Sequence, residues 1–237
     1  MPNLSNNDRL RQIAKALDEL NADIVYVGGA VIQLYSTDAA AVNPMTTYDV
    51  DCVVDIASYH EFQEFEQKLY AKHFRNDISE GAPICRFLYD GEKVDFMPKV
   101  DTEIGKSNSW YRKGVECRQP YKLEDGKIIY IMPVQYFLAS KFEALHSRGG
   151  NDYRGEKDFE DIVFVVNSCS NLINELQKCA DSNVKGFLAK EFLALIERQN
   201  IQEEIESSMM EDGRSDSVIS VMEAIAFESS LKNIGIV

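Results

Sequence analysis

The sequence predicts an α+β protein: a mixed β-sheet with flanking helices over residues 1–132, followed by a C-terminal helical domain over residues 133–237. Three observations predict it. In the first half, short β-branched and aromatic runs alternate with amphipathic helical patterns. Asp90-Gly91 between two apolar runs marks an antiparallel hairpin, so the sheet is mixed. From Pro133 onward the spacing of apolar residues is helical.

Leu10, Ile13, Leu17 and Leu20 recur at spacings of three and four, which predicts a helix over 8–20 capped by Ser5 or Asn6. Ile24 to Val27 reads as a buried strand, followed at once by Gly28-Gly29. Ala30 to Tyr35 restarts a helix, and 37–47 is a loop containing Asn43-Pro44. Tyr48 to Asp55 is the next strand. Ser58 caps a helix reaching about Phe74, with Phe62, Phe65 and Leu69 on its buried side. Ile84–Tyr89 and Glu92–Met97 form the hairpin arms. Residues 99–120 read as an irregular excursion, and Lys127–Met132 as one more strand. Helical patterns then cover 134–146, 157–167, 169–180, 184–199, 200–211 and 216–231.

Composition narrows the function. Twenty-five Lys+Arg against 39 Asp+Glu leave a net charge of -14 over 237 residues, which excludes a generic basic nucleic-acid binder but not a locally basic groove. No apolar run is long enough to span a membrane. The five cysteines are widely spaced with no CxxC pair, and the start MPNLSNNDRL lacks a signal-peptide pattern. A reduced, cytoplasmic chain without structural zinc is the expectation.

The chemistry concentrates in carboxylates. On a strand, residues two apart share a face, so Asp49, Asp51 and Asp55 fall on one side, with Asp49 and Asp51 as the close pair, while Val50, Cys52 and Val54 face the other. Asp95 follows the same logic between Val94 and Phe96. Crowded like charges need compensation, and Mg2+, which prefers oxygen ligands, supplies it. The plain alternative is a solvated acidic sheet face. Gly28-Gly29 lets a ligand approach the backbone, or is simply a tight strand-to-helix turn. It is neither GxGxxG nor GxxxxGK[ST], which disfavours a dinucleotide fold or a P-loop.

Val27-Gly28-Gly29, Thr47-Tyr48-Asp49-Val50-Asp51-Cys52 and Val94-Asp95-Phe96 together resemble the nucleotidyltransferase superfamily related to DNA polymerase β. The resemblance implies a nucleotidyltransferase-like sheet. It implies that Gly28 and Gly29 hold a nucleoside triphosphate such as ATP, and that Asp49, Asp51 and Asp95 bind two Mg2+ ions as the catalytic acids. Gly29 stands where serine is common in that superfamily, a departure permitted in its minimal and tRNA nucleotidyltransferase-like branches.

Lys141-x-x-Ala144-x-x-x-Arg148 and Arg154-x-x-Lys157-Asp158-x-x-Asp161 are similar to AbiEii-like toxin nucleotidyltransferases. This implies NMP transfer from an NTP to an acceptor hydroxyl on a tRNA, a protein or a small molecule. It also implies a toxin–antitoxin or phage-defence setting, with a cognate antitoxin as partner. Lys141 and Arg148, seven residues or two turns apart, share one helix face, and Asp158 and Asp161, three residues apart, also share a face. The cations therefore meet either phosphate or that acid pair. Lys141, Lys157 and Arg148 are the nucleotide-binding candidates in this half. The rival classes are a catalytically inactive binding protein on the same fold and a small-molecule (antibiotic) nucleotidyltransferase.

The remaining candidates are weaker. His60, His73 and His146 have no ligand spacing. Trp110-Tyr111-Arg112-Lys113 is a basic-aromatic patch able to stack a base or to anchor a loop. Arg86 and Lys93 flank the hairpin as candidates to line the cleft, and Lys99, just past the third acid, is another. Glu203, Glu204, Glu206, Glu211 and Asp212 read as a solvated face or a protein contact.

Overall fold

The computed structural model describes residues 4–38, 44–103, 105–209 and 213–233. Contacts divide the chain into two compact units, one of Met1–Val31 with Met45–Pro133 and one of Ile32–Pro44 with Val134–Val237. Among the described residues no helix is long and apolar enough to cross a membrane.

The first unit is built on a seven-stranded mixed sheet. Its strands are β1 (Ile24–Val27), β2 (Asp49–Val54), β3 (Arg75–Asn76), β4 (Arg86–Tyr89), β5 (Glu92–Pro98), β6 (Gln119–Lys122) and β7 (Ile128–Ile131). They lie in the order β3-β4-β5-β2-β1-β7-β6. The central pair β2 and β5 is parallel, as is β1 with β7, and the other pairs are antiparallel. The hairpin between β4 and β5 pairs Tyr89 with Glu92, so Asp90 and Gly91 form the whole loop. Both have positive φ, 49° and 85°, the geometry that suits the twist of the flanking strands.

Helix α1 (Asn6–Leu17) is capped by Ser5, whose hydroxyl accepts from the Asp8 N–H. The predicted helix over 8–20 is α-helical only to Leu17 and continues as a 3-10 stretch, Asp18–Asp23. Asn21 fixes that change. Its amide donates to the carbonyls of Ala14 and Asp18, at 2.7 Å each, and accepts from the buried Tyr26 hydroxyl. Helix α2 (Tyr59–Ala71), capped by Ser58, covers one face of the sheet. There Phe62 and Phe65 meet Phe87 and Phe96 at ring distances of 6.4 and 5.3 Å, and Phe74 closes the cluster. Phe96 and Phe87 thus face α2, which turns Asp95 to the opposite face.

The stretch 99–120, read as irregular, contains a short helix α3 (Tyr111–Glu116) and strand β6. The segment after Gly28 is a 3-10 helix, Gly29–Tyr35, rather than an α-helix. Part of the expected 37–47 loop, residues 39–43, lies outside the described residues.

The second unit is helical: α4 (Val134–Arg148), α5 (Lys157–Ser168), α6 (Leu172–Lys178), α7 (Ser182–Ile196), α8 (Ile201–Ser208) and α9 (Ser215–Asn233). Phe137, Phe142, Phe159, Ile162, Leu188 and Phe192 are among its buried side chains. Residues 32–38 join it. The Tyr35 ring lies 4.6 Å from Phe137, the Thr37 N–H donates to the Ser168 carbonyl, and Asp38 pairs with Arg214. Glu204 departs from the expected solvated acidic face. It is buried, accepts two hydrogen bonds from Arg198 and one from the Tyr153 N–H. Glu211 and Asp212 lie outside the described residues.

Candidate functional site

The sheet register lines up the site. Val27 of β1 pairs with Asp51 of β2, Asp51 with Asp95 of β5, and Asp95 with Arg86 of β4. Directly paired residues project from the same face, and Asp49 shares it by the two-residue period. One carboxylate oxygen from each of Asp49, Asp51 and Asp95 lies within 4.8 Å of the others. Asp95 is buried, and Asp49 and Asp51 are half-buried. Asp55, expected on the same face, lies past the end of β2, exposed and paired with Lys99.

Three carboxylates at this spacing repel one another unless a cation lies among them. The cation that meets them is Arg86. Its Nε donates to Asp95 Oδ1 and its Nη2 to Asp95 Oδ2, both at 2.7 Å, and Nη2 lies 3.8 Å from Asp49 Oδ2. The hydrogen-bonded Asp95 holds the guanidinium well above its ordinary pKa, with further help from Asp49 and Asp77. Behind the acids the Cys52 thiol is pushed up by burial and by the charges of Asp51 and Asp95. Cys85 is pushed up to about 11 by burial first and Asp95 second.

Helix α1 orients Asp49 through the chain that precedes it. Thr47 Oγ1 donates to Asp49 Oδ1 at 2.7 Å. Thr47 is held in turn, its N–H donating to Asn6 Oδ1 at 3.0 Å and its carbonyl accepting from the buried Arg9, which also pairs with Glu92. On the other side Gly28 leaves β1 at φ +69° with its backbone against Asp51. A side chain there would collide with the carboxylate, so the turn needs glycine for space as well as for conformation.

The donor set is carboxylate oxygen alone, the chemistry of a hard divalent ion such as Mg2+ or Mn2+ rather than zinc. The close approach of the three acids from two neighbouring strands fits such an ion. The histidines do not join them: His146, for instance, pairs with Glu191 within the helical unit.

The cations singled out in the second half meet acids of their own unit. Lys141, buried on α4, lies 3.0 Å from Asp158 and in contact with Asp161, both on α5. Arg148 reaches Asp158 at 2.6 Å from a largely exposed position. Burial opposes the Lys141 charge, but Asp161 and Asp158 outweigh it and hold the ammonium above its ordinary range. Lys157 opens α5 and is exposed. In the basic-aromatic patch Trp110 is half-buried, Arg112 is exposed and Lys113 pairs with Glu116.

Sequence reasoning placed Arg86 beside the hairpin as a candidate to line the cleft without pairing it with Asp95, named Thr47 and Asn6 without these contacts, and missed Arg9. Arg86 was findable: a two-residue loop at Asp90-Gly91 pairs 89 with 92, and the same count pairs 86 with 95. The Asn6 and Arg9 contacts join segments far apart in the chain and leave no local signal.

No protein-family model matches the chain, and no curated protein matches it. Among solved structures it is similar to an antigenic nucleotidyltransferase-like protein from Paracoccidioides brasiliensis. That likeness has 17% sequence identity and a TM-score of 0.49, and covers 86% of this chain and 94% of that one. The geometry of the carboxylates therefore has to carry the function by itself.

Proposed function

We propose that this chain is a Mg2+-dependent nucleotidyltransferase, moving NMP from an NTP to an acceptor hydroxyl with pyrophosphate leaving. One observation carries the reading: Asp49, Asp51 and Asp95 bring oxygens within 4.8 Å of one another. These three would hold the metal, two ions in the full complex. When bound, the metal supplies positive charge to the triphosphate and eases loss of the acceptor proton. The chain's own part is positional. Thr47 aims Asp49, Gly28 confines Asp51, and Gly28 with Gly29 keeps side chains away from where a triphosphate would approach the backbone.

Lys141, Arg148 and Lys157 are assigned to nucleotide binding on sequence resemblance alone, with residues 1–132 as the catalytic domain and 133–237 as the helical domain. The same resemblance supports a toxin component acting in the cytoplasm on a tRNA, a protein or a small molecule, with an antitoxin as partner.

Arg86 on both oxygens of Asp95 favours a second reading, an inactive protein of the same fold that binds rather than transfers. One experiment separates them. The chain is incubated with each α-labelled NTP, Mg2+, total RNA and cell lysate, and the labelled species is identified. Transfer that disappears in Asp49→Asn and Asp95→Asn supports the first reading. Transfer retained in both variants overturns it, and no label transfer together with no metal-dependent NTP binding in a parallel titration selects the second.

A further inference from the structure

We infer that Arg86 is the built-in counter-ion of the carboxylate site, and that a divalent metal binds only by displacing it from Asp95. The inference rests on the proposed metal-binding role of the three acids and adds a positioning residue to it. Arg86 is not a passing surface cation. It stands directly opposite Asp95 in the antiparallel pairing of β4 with β5, so the backbone itself delivers the guanidinium to that carboxylate. The planar fork of the guanidinium matches both carboxylate oxygens at 2.7 Å, the strong bidentate geometry. The side chains are mostly withdrawn from water, 21% exposed for Arg86 and 12% for Asp95, so solvent screens the pair weakly. The same Nη2 also leans toward Asp49, which places one positive charge between two of the three acids.

An ion held by Asp95 and Asp49 would share those oxygens with a cation already in place. Two cations on one carboxylate repel strongly in a poorly screened site, so metal alone binds weakly because it must first displace Arg86. A guanidinium recognises phosphate oxygens with the same fork that it offers a carboxylate. A bound triphosphate therefore gives Arg86 a second partner and releases Asp95 to the metal. Metal and nucleotide then each strengthen the binding of the other, as reciprocal coupling requires.

The test is calorimetric titration of Mn2+ into the full chain, without and with a non-hydrolysable ATP analogue, for the wild type, Arg86→Met and Arg86→Lys. The expected result is Mn2+ affinity at least about tenfold higher in Arg86→Met without nucleotide, with Arg86→Lys close to the wild type. The analogue should tighten Mn2+ binding in the wild type and do so less in Arg86→Met. A merely structural arginine would not raise metal affinity when removed. Folded Arg86→Met with unchanged or weaker Mn2+ affinity overturns the inference while leaving the metal site standing. Failure of both proteins to bind Mn2+ overturns the metal reading and this inference together. Should Arg86→Met not fold, the wild type decides by NMR. The Arg86 Nε–H, held by Asp95, must shift and exchange faster with water as Mg2+ saturates the Asp95 amide signal, and an unmoved resonance overturns the inference.

Discussion

The backbone of Gly28 lies so close against Asp51 that a Cβ on it would fall 2.0 Å from Asp51 Oδ2. Gly28→Ala therefore forces the carboxylate to move, and the conformation at φ +69° adds a strain of about 1–2 kcal/mol. Gly91→Ala is the matched control. It has φ +85° and no neighbouring atom within 4 Å of its Cβ, so it suffers the strain without the collision. Gly28→Ala should lose at least as much stability as Gly91→Ala in thermal unfolding, since it carries the collision in addition to the strain. Only Gly28→Ala should lose nucleotidyl transfer, by about 100-fold, as a small misplacement of a reacting group does.

Asp49 and Asp95 separate stability from chemistry. Asp95 is buried and bonded twice to Arg86, so Asp95→Asn weakens a charge-assisted pair and lowers stability by about 1–3 kcal/mol. Asp49 is half-exposed, and an asparagine oxygen there can still accept from Thr47, so Asp49→Asn should change stability by less than about 0.5 kcal/mol. Denaturant unfolding reads that difference. Under the proposed function, label transfer should fall at least about 100-fold in both, because each removes a charge from the proposed metal site. A large stability loss in Asp49→Asn with transfer intact would mark it as structural.

How much of this was legible follows from where the information sits. The alternation Asp49-Val50-Asp51 sorts acids from core on β2, and Val94-Asp95-Phe96 does so on β5, because a two-residue period is local. That Asp51 stands beside Asp95 is not local. β2 and β5 are parallel, no tight turn joins them, and their register is set by packing of Phe96 and Cys52 into the buried face. The Arg86–Asp95 pairing lay between these cases, implicit in the Asp-Gly loop yet unread. The 3-10 form of Gly29–Tyr35 was illegible, since its apolar residues suit an α-helix equally well. In the second half the helix faces of Lys141 and of Asp158 with Asp161 were readable. Their pairing across α4 and α5 required knowing that the two helices pack together.

Lys141 is the residue on which the helical unit's ion network depends. Lys141→Met leaves Asp158 and Asp161 buried without their shared ammonium, which should destabilise the chain by about 3–5 kcal/mol. The pH sign follows from the raised folded pKa. The stabilisation is complete below the ordinary lysine value of 10.5 and is lost as pH rises through the higher folded value. Wild type should therefore hold this contribution up to pH 10.5 and shed it above, in urea titrations across pH, while Lys141→Met shows no such alkaline loss. Lys157 makes the contrast. A cation in the first turn of α5 faces the positive end of the helix dipole, so Lys157→Ala should not reduce stability. Its assigned role is nucleotide binding, so its KM for NTP should rise several-fold, and an unchanged KM removes it from that role.

Cys85 reports on how closed the β4 side of the site is. It precedes Arg86, is half-buried, and has its thiol pushed up to about 11, by burial first and by Asp95 second. At pH 8, three units lower, only about one Cys85 in a thousand is thiolate, and the thiolate is the species that alkylates. Cys117 is exposed and Cys52 fully buried. Iodoacetamide at pH 8, followed by peptide mass spectrometry, should label Cys117 first, Cys85 slowly and Cys52 only on unfolding. Raising the pH from 8 to 10 should speed Cys85 labelling by about tenfold per unit, because the thiolate fraction grows that way until the pKa is reached. A Cys85 that keeps pace with Cys117 at pH 8 would mean that Asp95 and burial do not act on it, and hence that the strand edge carrying Arg86 is open to water.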